Sequence, residues 1–98
     1  MTSDVYLFEI HQLEGIDISG RMFSRDVGID VSEEGYTGRF AYEGLSLLSG
    51  AHPTVQEAIA EIARKLQRKN FSSLRTRVNF REERYLAERE PWIDHVNP

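Results

Sequence analysis

Residues 53–70, PTVQEAIAEIARKLQRKN, carry the clearest hydrophobic period in the chain. Val55, Ala58, Ile59, Ile62 and Leu66 recur at i, i+3, i+4, i+7 and i+11, which winds into one apolar stripe on a helix of 3.6 residues per turn. The stripe predicts a helix over 54–69 with one face laid on a sheet. Both ends of the segment agree. Pro53 sits where a helix begins, and Thr54 with Glu57 makes the S/T-x-x-E box that satisfies free backbone N–H groups. Arg64, Lys65, Arg68 and Lys69 crowd the last turns, where cations suit the negative end of the helix dipole, and Asn70 is a fitting stop. That dipole is a sufficient structural reason for the four cations; a binding role is the sharper alternative.

Elsewhere the period is two. VYLFEI at 5–10 is a short apolar run and predicts a first strand. LEGIDISG at 13–20, with two glycines and two acids, predicts a loop or bulged connection. RDVGIDVS at 25–32 alternates, with Val27, Ile29 and Val31 on one face. SEEG at 32–35 is turn chemistry, and YTGRFAYEG at 36–44 returns as the partner strand with Phe40 and Tyr42 over the core. LSLLSG at 45–50 has room for a short third strand. After the helix, SLRTRVNFR at 73–81 sets Leu74, Thr76, Val78 and Phe80 against Arg75, Arg77, Asn79 and Arg81. Residues 81–90 fit a returning strand or a short helix equally, Pro91 ends either, and 94–98 predict a frayed tail. Strands ahead of a single strong helix predict an α+β domain, in β-β-β-α-β order. Its antiparallel sheet would have four to five strands, with the helix on one face.

From 30 to 62, the run DVSEEGYTGRF…GLSLLSG…TVQEAIAEI resembles the HicB-like antitoxin domain. The shared features are an acidic turn (SEEGY, 32–36), the glycines Gly44 and Gly50, and a Thr-x-x-Glu-Ala helix start (TVQEAI, 54–59). The resemblance covers about a third of the chain. It implies a partial ribonuclease-H-like fold used to mask a small toxic ribonuclease. The operator-binding part of that family is not carried over, since the chain after 81 does not match it.

At 98 residues the chain is one domain, and no linker or repeat divides it. With no cysteine, disulfides, a Cys-ligated zinc and thiol chemistry are excluded. No apolar run reaches the ~20 residues of a membrane span, and MTSDVYLFEI lacks the basic flank of a secretion signal. A cytoplasmic protein is expected. Net charge is −4 but uneven: residues 1–53 carry −6, residues 54–98 carry +2, and the stretch 64–84 alone carries +6. An acidic whole argues against a dedicated nucleic-acid binder, while the basic stretch keeps a local patch in view.

Catalytic patterns are missing from the sequence. His11, His52 and His95 are not spaced as metal ligands. His52, just before the helix, is placed to meet an anion at most. The neighbouring acids Glu33–Glu34 and Glu82–Glu83 would point to opposite faces of a strand, which suits turns better than acid–base work. No glycine pattern makes a phosphate loop. No enzyme, cofactor, metal or small-molecule substrate is expected.

The functional candidate is the ridge Arg75, Arg77 and Arg81, expected along one outer sheet face. Guanidinium planes fork onto carboxylates and phosphates and stack on rings. A protein partner, with homodimerisation, is the first expectation. An RNA-binding sheet using Phe71, Phe80, Tyr85 and Trp92 is the second. The plainer account is pairing of the ridge with Glu83, Glu88 and Glu90 or with the acidic first half.

Overall fold

A computed structural model describes residues 5–82, 84–86 and 90–96. Its elements are β1 (Tyr6–Ile16), β2 (Met22–Ser32), β3 (Gly35–Tyr42), β4 (Leu45–Leu48), α1 (Val55–Arg68), β5 (Ser72–Arg81), β6 (Arg84–Tyr85) and β7 (Ile93–Asp94). The strands form one antiparallel sheet in the order β4-β3-β2-β1-β5-β6, and β7 also pairs with β5. The class is α+β, with one helix among the described residues, as the patterns predict. The sheet is larger than four to five strands, because LSLL does pair and two short strands line the outer edge of β5.

The helix forms where its stripe requires. Thr54 accepts a hydrogen bond from the Glu57 N–H at 3.2 Å, which fixes the first turn. Ala58, Ile59, Ile62, Ala63 and Leu66 are buried against the sheet, and Val55 is half-buried at the margin. Full burial of each Ile or Leu contributes about 1.5–3 kcal/mol. Gly38 on β3 lets the helix come close: a Cβ there would lie 3.1 Å from Ile62 Cγ1. At the other end, Asn70 takes φ +68° and the Phe71 N–H returns to the Leu66 carbonyl at 3.1 Å, closing the helix. Phe71 then packs edge-on to Phe23 and Tyr42, extending the core beyond the helix.

β1 corrects the expectation for residues 13–20. The strand continues to Ile16, and Leu13 is fully buried. Gly15 serves close approach rather than a turn, since a Cβ on it would sit 2.8 Å from the Ser72 carbonyl oxygen and 2.7 Å from Leu74 Cδ2. The real connection is 17–21. There the buried Asp17 carboxylate accepts from the N–H groups of Ser19 (2.9 Å) and Arg21 (3.0 Å) and from the Tyr42 hydroxyl (2.7 Å). These bonds hold its pKa below the usual carboxylate value, the Tyr42 bond most of all.

The β4–α1 connection is also tied down. Tyr36 and His52 exchange backbone bonds of 2.8 and 2.9 Å. Glu61 on α1 takes the His52 ring at 2.7 Å, Lys65 Nζ at 3.0 Å and the Gly50 N–H at 3.1 Å. His52, first, and Lys65 pull the Glu61 carboxyl down to about 2.

Past β5 the chain stays with the sheet. Of the two readings of 81–90, the strand holds at Arg84–Tyr85, where Tyr85 packs on Phe80 with ring centres 5.1 Å apart. Residues 83 and 87–89 lie outside the described residues. Asp94, where fraying was expected to begin, pairs with Arg75, and the His95 N–H donates to the Leu74 carbonyl at 2.9 Å. Long-range pairing, which no local pattern encodes, holds this segment.

Candidate functional site

The arginine strand is split by its pairing with β1. Arg75 lies across from Glu14 and Arg77 across from Gln12. Arg75 Nε donates to Glu14 Oε1 at 2.6 Å, and its Nη2 reaches the same oxygen. Arg77 donates through Nε (3.3 Å) and Nη2 (3.2 Å) to Gln12 Oε1. Both guanidiniums also cover the Trp92 ring, 4.3 and 4.0 Å from its centre.

Arg81 does not share that face. The register slips between Ile10 and His11, and Arg81 comes opposite Glu9, which belongs with His11 and Leu13 on the helix side. One extra residue in a strand inverts the alternation beyond it. Arg81 Nε bonds Glu9 Oε2 at 2.9 Å and Nη1 reaches Glu90 at 3.4 Å; the Glu9 bond, chiefly, raises its pKa. Of the carboxylates expected to answer the ridge, Glu90 does so, and Glu83 and Glu88 lie outside the described residues.

Glu9 and His11 form an inward polar pair that periodicity alone did not single out. Glu9 is 6% exposed, His11 3%, and His11 Nε2 lies 2.7 Å from Glu9 Oε1. The signal was present: two polar residues at i and i+2 share a strand face with Leu13. Burial lowers the His11 pKa, against the opposing pull of Glu9. Nearby, His95 Nε2 meets the Thr76 hydroxyl at 2.8 Å, and burial lowers its pKa too. Both Glu9 oxygens are engaged, one by His11 and one by Arg81, so the cluster satisfies itself inside the fold. His52, a candidate for an anion, instead holds Glu61. Of the aromatics considered for a base-stacking platform, Phe71 is in the core and Phe80 packs on Tyr85. Trp92 alone of the four stacks on the arginines.

A different surface stands out at the start of β1. Val5, Tyr6, Leu7 and Phe8 are 64, 61, 43 and 38% exposed. Tyr6 and Leu7 pair with Val31 and Asp30 on β2, and the Phe8 ring packs against Tyr36 with ring centres 5.1 Å apart. The adjoining β2–β3 turn carries Glu33 and Glu34. At the opposite end of the sheet, a groove of about 910 Å³ runs between the end of β1, the start of β2 and residues 94–96. A smaller one of about 300 Å³ lies between those residues and α1. Among the described residues, no helix is long and apolar enough to cross a membrane. Compared with protein-family models, curated proteins and solved structures, the chain matches none of them.

Proposed function

We propose that the chain is a small, non-enzymatic, cytoplasmic protein-binding module that takes its partner on the apolar surface at the leading end of β1. The observation that carries this is the apolar exposure of Val5, Leu7 and Phe8, which are 64, 43 and 38% open to solvent at the start of one strand. Contiguous apolar exposure of this kind is unfavourable until it is covered, and marks a surface for a protein partner. The flanking Glu34, in a half of the chain carrying −6, favours a basic partner surface. The HicB resemblance points the same way, toward a small ribonuclease-like protein to be masked; self-association is the other outcome. The inward, satisfied state of Glu9 and His11 supports a binding role over a catalytic one.

The test is capture from the host with the wild-type chain and with Leu7→Lys. A basic protein retained by the first and lost by the second, cross-linked at residues 5–8, is the expected result. A wild-type chain that is monomeric at several hundred micromolar and retains nothing sinks the reading. RNA binding on the Arg75/Arg77 face is the second reading, favoured by the Arg–Trp92 stack. RNA would have to compete with Glu14 and Gln12 for the same donors. Titration of labelled RNA at two salt concentrations separates the two, because phosphate contacts weaken steeply with salt.

A further inference from the structure

The outer edge of β5 is occupied by the chain's own segment Trp92–His95, and the manner of that occupation has consequences. Main-chain pairing is short: Ile93 faces Thr76, Asp94 faces Arg75, and the His95 N–H donates to the Leu74 carbonyl at 2.9 Å. Further contacts grip it from both faces of the sheet. Trp92 lies under Arg75 and Arg77 on the open face. On the helix face, His95 meets the Thr76 hydroxyl at 2.8 Å, and its carbonyl accepts from Gln67 Nε2 of α1 at 3.0 Å. The segment therefore grips the strand like a clip, through an aromatic ring on one side and an imidazole on the other.

We infer that this edge is a strand-accepting site, and that Trp92–His95 of a second copy can occupy it in place of the chain's own. Three features lead there. The identical segment is already seated on the edge, so the chemistry of the occupant is given. Two paired residues and one further main-chain bond are few to give up when the segment leaves in cis, and every contact is remade in trans. The Leu86 N–H is bonded to the Asn79 carbonyl, and from Leu86 to Trp92 there are six peptide steps, a reach of about 20 Å when extended. Each copy offers both the clip and the edge, so the exchange is reciprocal and closes as a two-fold dimer. The contact is separate from Val5–Phe8 and does not rest on it.

The chain has no cysteine, so single introduced cysteines report the exchange directly. Thr76→Cys and Ile93→Cys chains are mixed at several hundred micromolar under mild oxidation, and linked species are mapped by mass spectrometry. A 76–93 heterodimer is expected, its yield rising with concentration and falling at least fivefold when Trp92→Ala is added to the Ile93→Cys chain. Leu7→Lys leaves that yield unchanged, which separates this contact from the proposed partner surface. If the double variant closes the bond within one chain while the mixed singles never link, the exchange is refuted. A second readout is a fluorescein-labelled peptide of residues 90–96 titrated onto the Trp92→Ala chain. Binding at least tenfold tighter than to the wild-type chain is expected; a folded Trp92→Ala chain that ignores the peptide at millimolar concentration overturns the inference as well.

Discussion

Arg81 reaches Glu9 from the neighbouring strand, Nε to Oε2 at 2.9 Å, across a register slip that removes it from the face of Arg75 and Arg77. The three arginines look equivalent in the sequence and are not equivalent in the fold. Glu9 is 6% exposed, whereas Glu14, the partner of Arg75, keeps 24% of its side chain in solvent. Removing a partner from a buried carboxylate leaves a charge that water cannot reach; removing one from a wet carboxylate does not.

Arg81→Ala is therefore expected to destabilise by roughly 2 kcal/mol, and Arg75→Ala by about 1 kcal/mol or less. Urea unfolding at pH 7 measures both. Equal losses would show that the difference in burial between Glu9 and Glu14 carries no energetic weight.

Stability should fall as the solution is acidified below pH 6.5. Burial lowers the pKa of His11 and of His95 in the folded state, while the unfolded chain titrates near 6.5. The unfolded state then binds more protons, so stability present above 6.5 is lost as pH falls toward the folded values. Replacing His11 with Gln should flatten this slope. A second window lies lower, from 4.5 toward about 2, where Glu61 loses its charge and its hold on His52 and Lys65. A stability profile from pH 7.5 to 5 with the same slope in wild type and His11→Gln would refute the first assignment.

Gly15→Ala should cost roughly 2–3 kcal/mol, since the new methyl meets the Ser72 carbonyl, which is backbone and cannot turn aside. Gly50→Ala is the control. Its Cβ would find its nearest neighbour, Glu61 Oε1, at 3.8 Å, an ordinary contact. Thermal unfolding of the pair checks the reading of residues 13–16 as strand: similar melting temperatures would contradict it.

The helix was legible because its signals are local. Thr54, Glu57 and the Ile59–Ile62–Leu66 stripe lie within four turns of one another and need no partner to be read. The β2–β3 hairpin was legible for the same reason. β1 beyond Leu13 was obscured because a glycine and two acids imitate a loop, and only the approach of Ser72 and Leu74 explains the glycine. The division of the arginines was invisible, because the slip belongs to the pairing of β1 with β5 and leaves no mark in SLRTRVNFR. β7 was missed for a related reason: a strand of two residues has no period, and its hold comes from Leu74, Thr76 and Gln67, distant in sequence.

Glu61 gathers Gly50, His52 and Lys65, while His52 is bridged to Tyr36 and Lys65 Nζ donates to the Leu48 carbonyl at 2.7 Å. The middle of α1, the connection before it and the outermost strands on that side are consequently one cooperative unit. Amide protons of Tyr36, Gly50 and His52 would then exchange with solvent at a common rate, because none of these segments can open while the others stay shut.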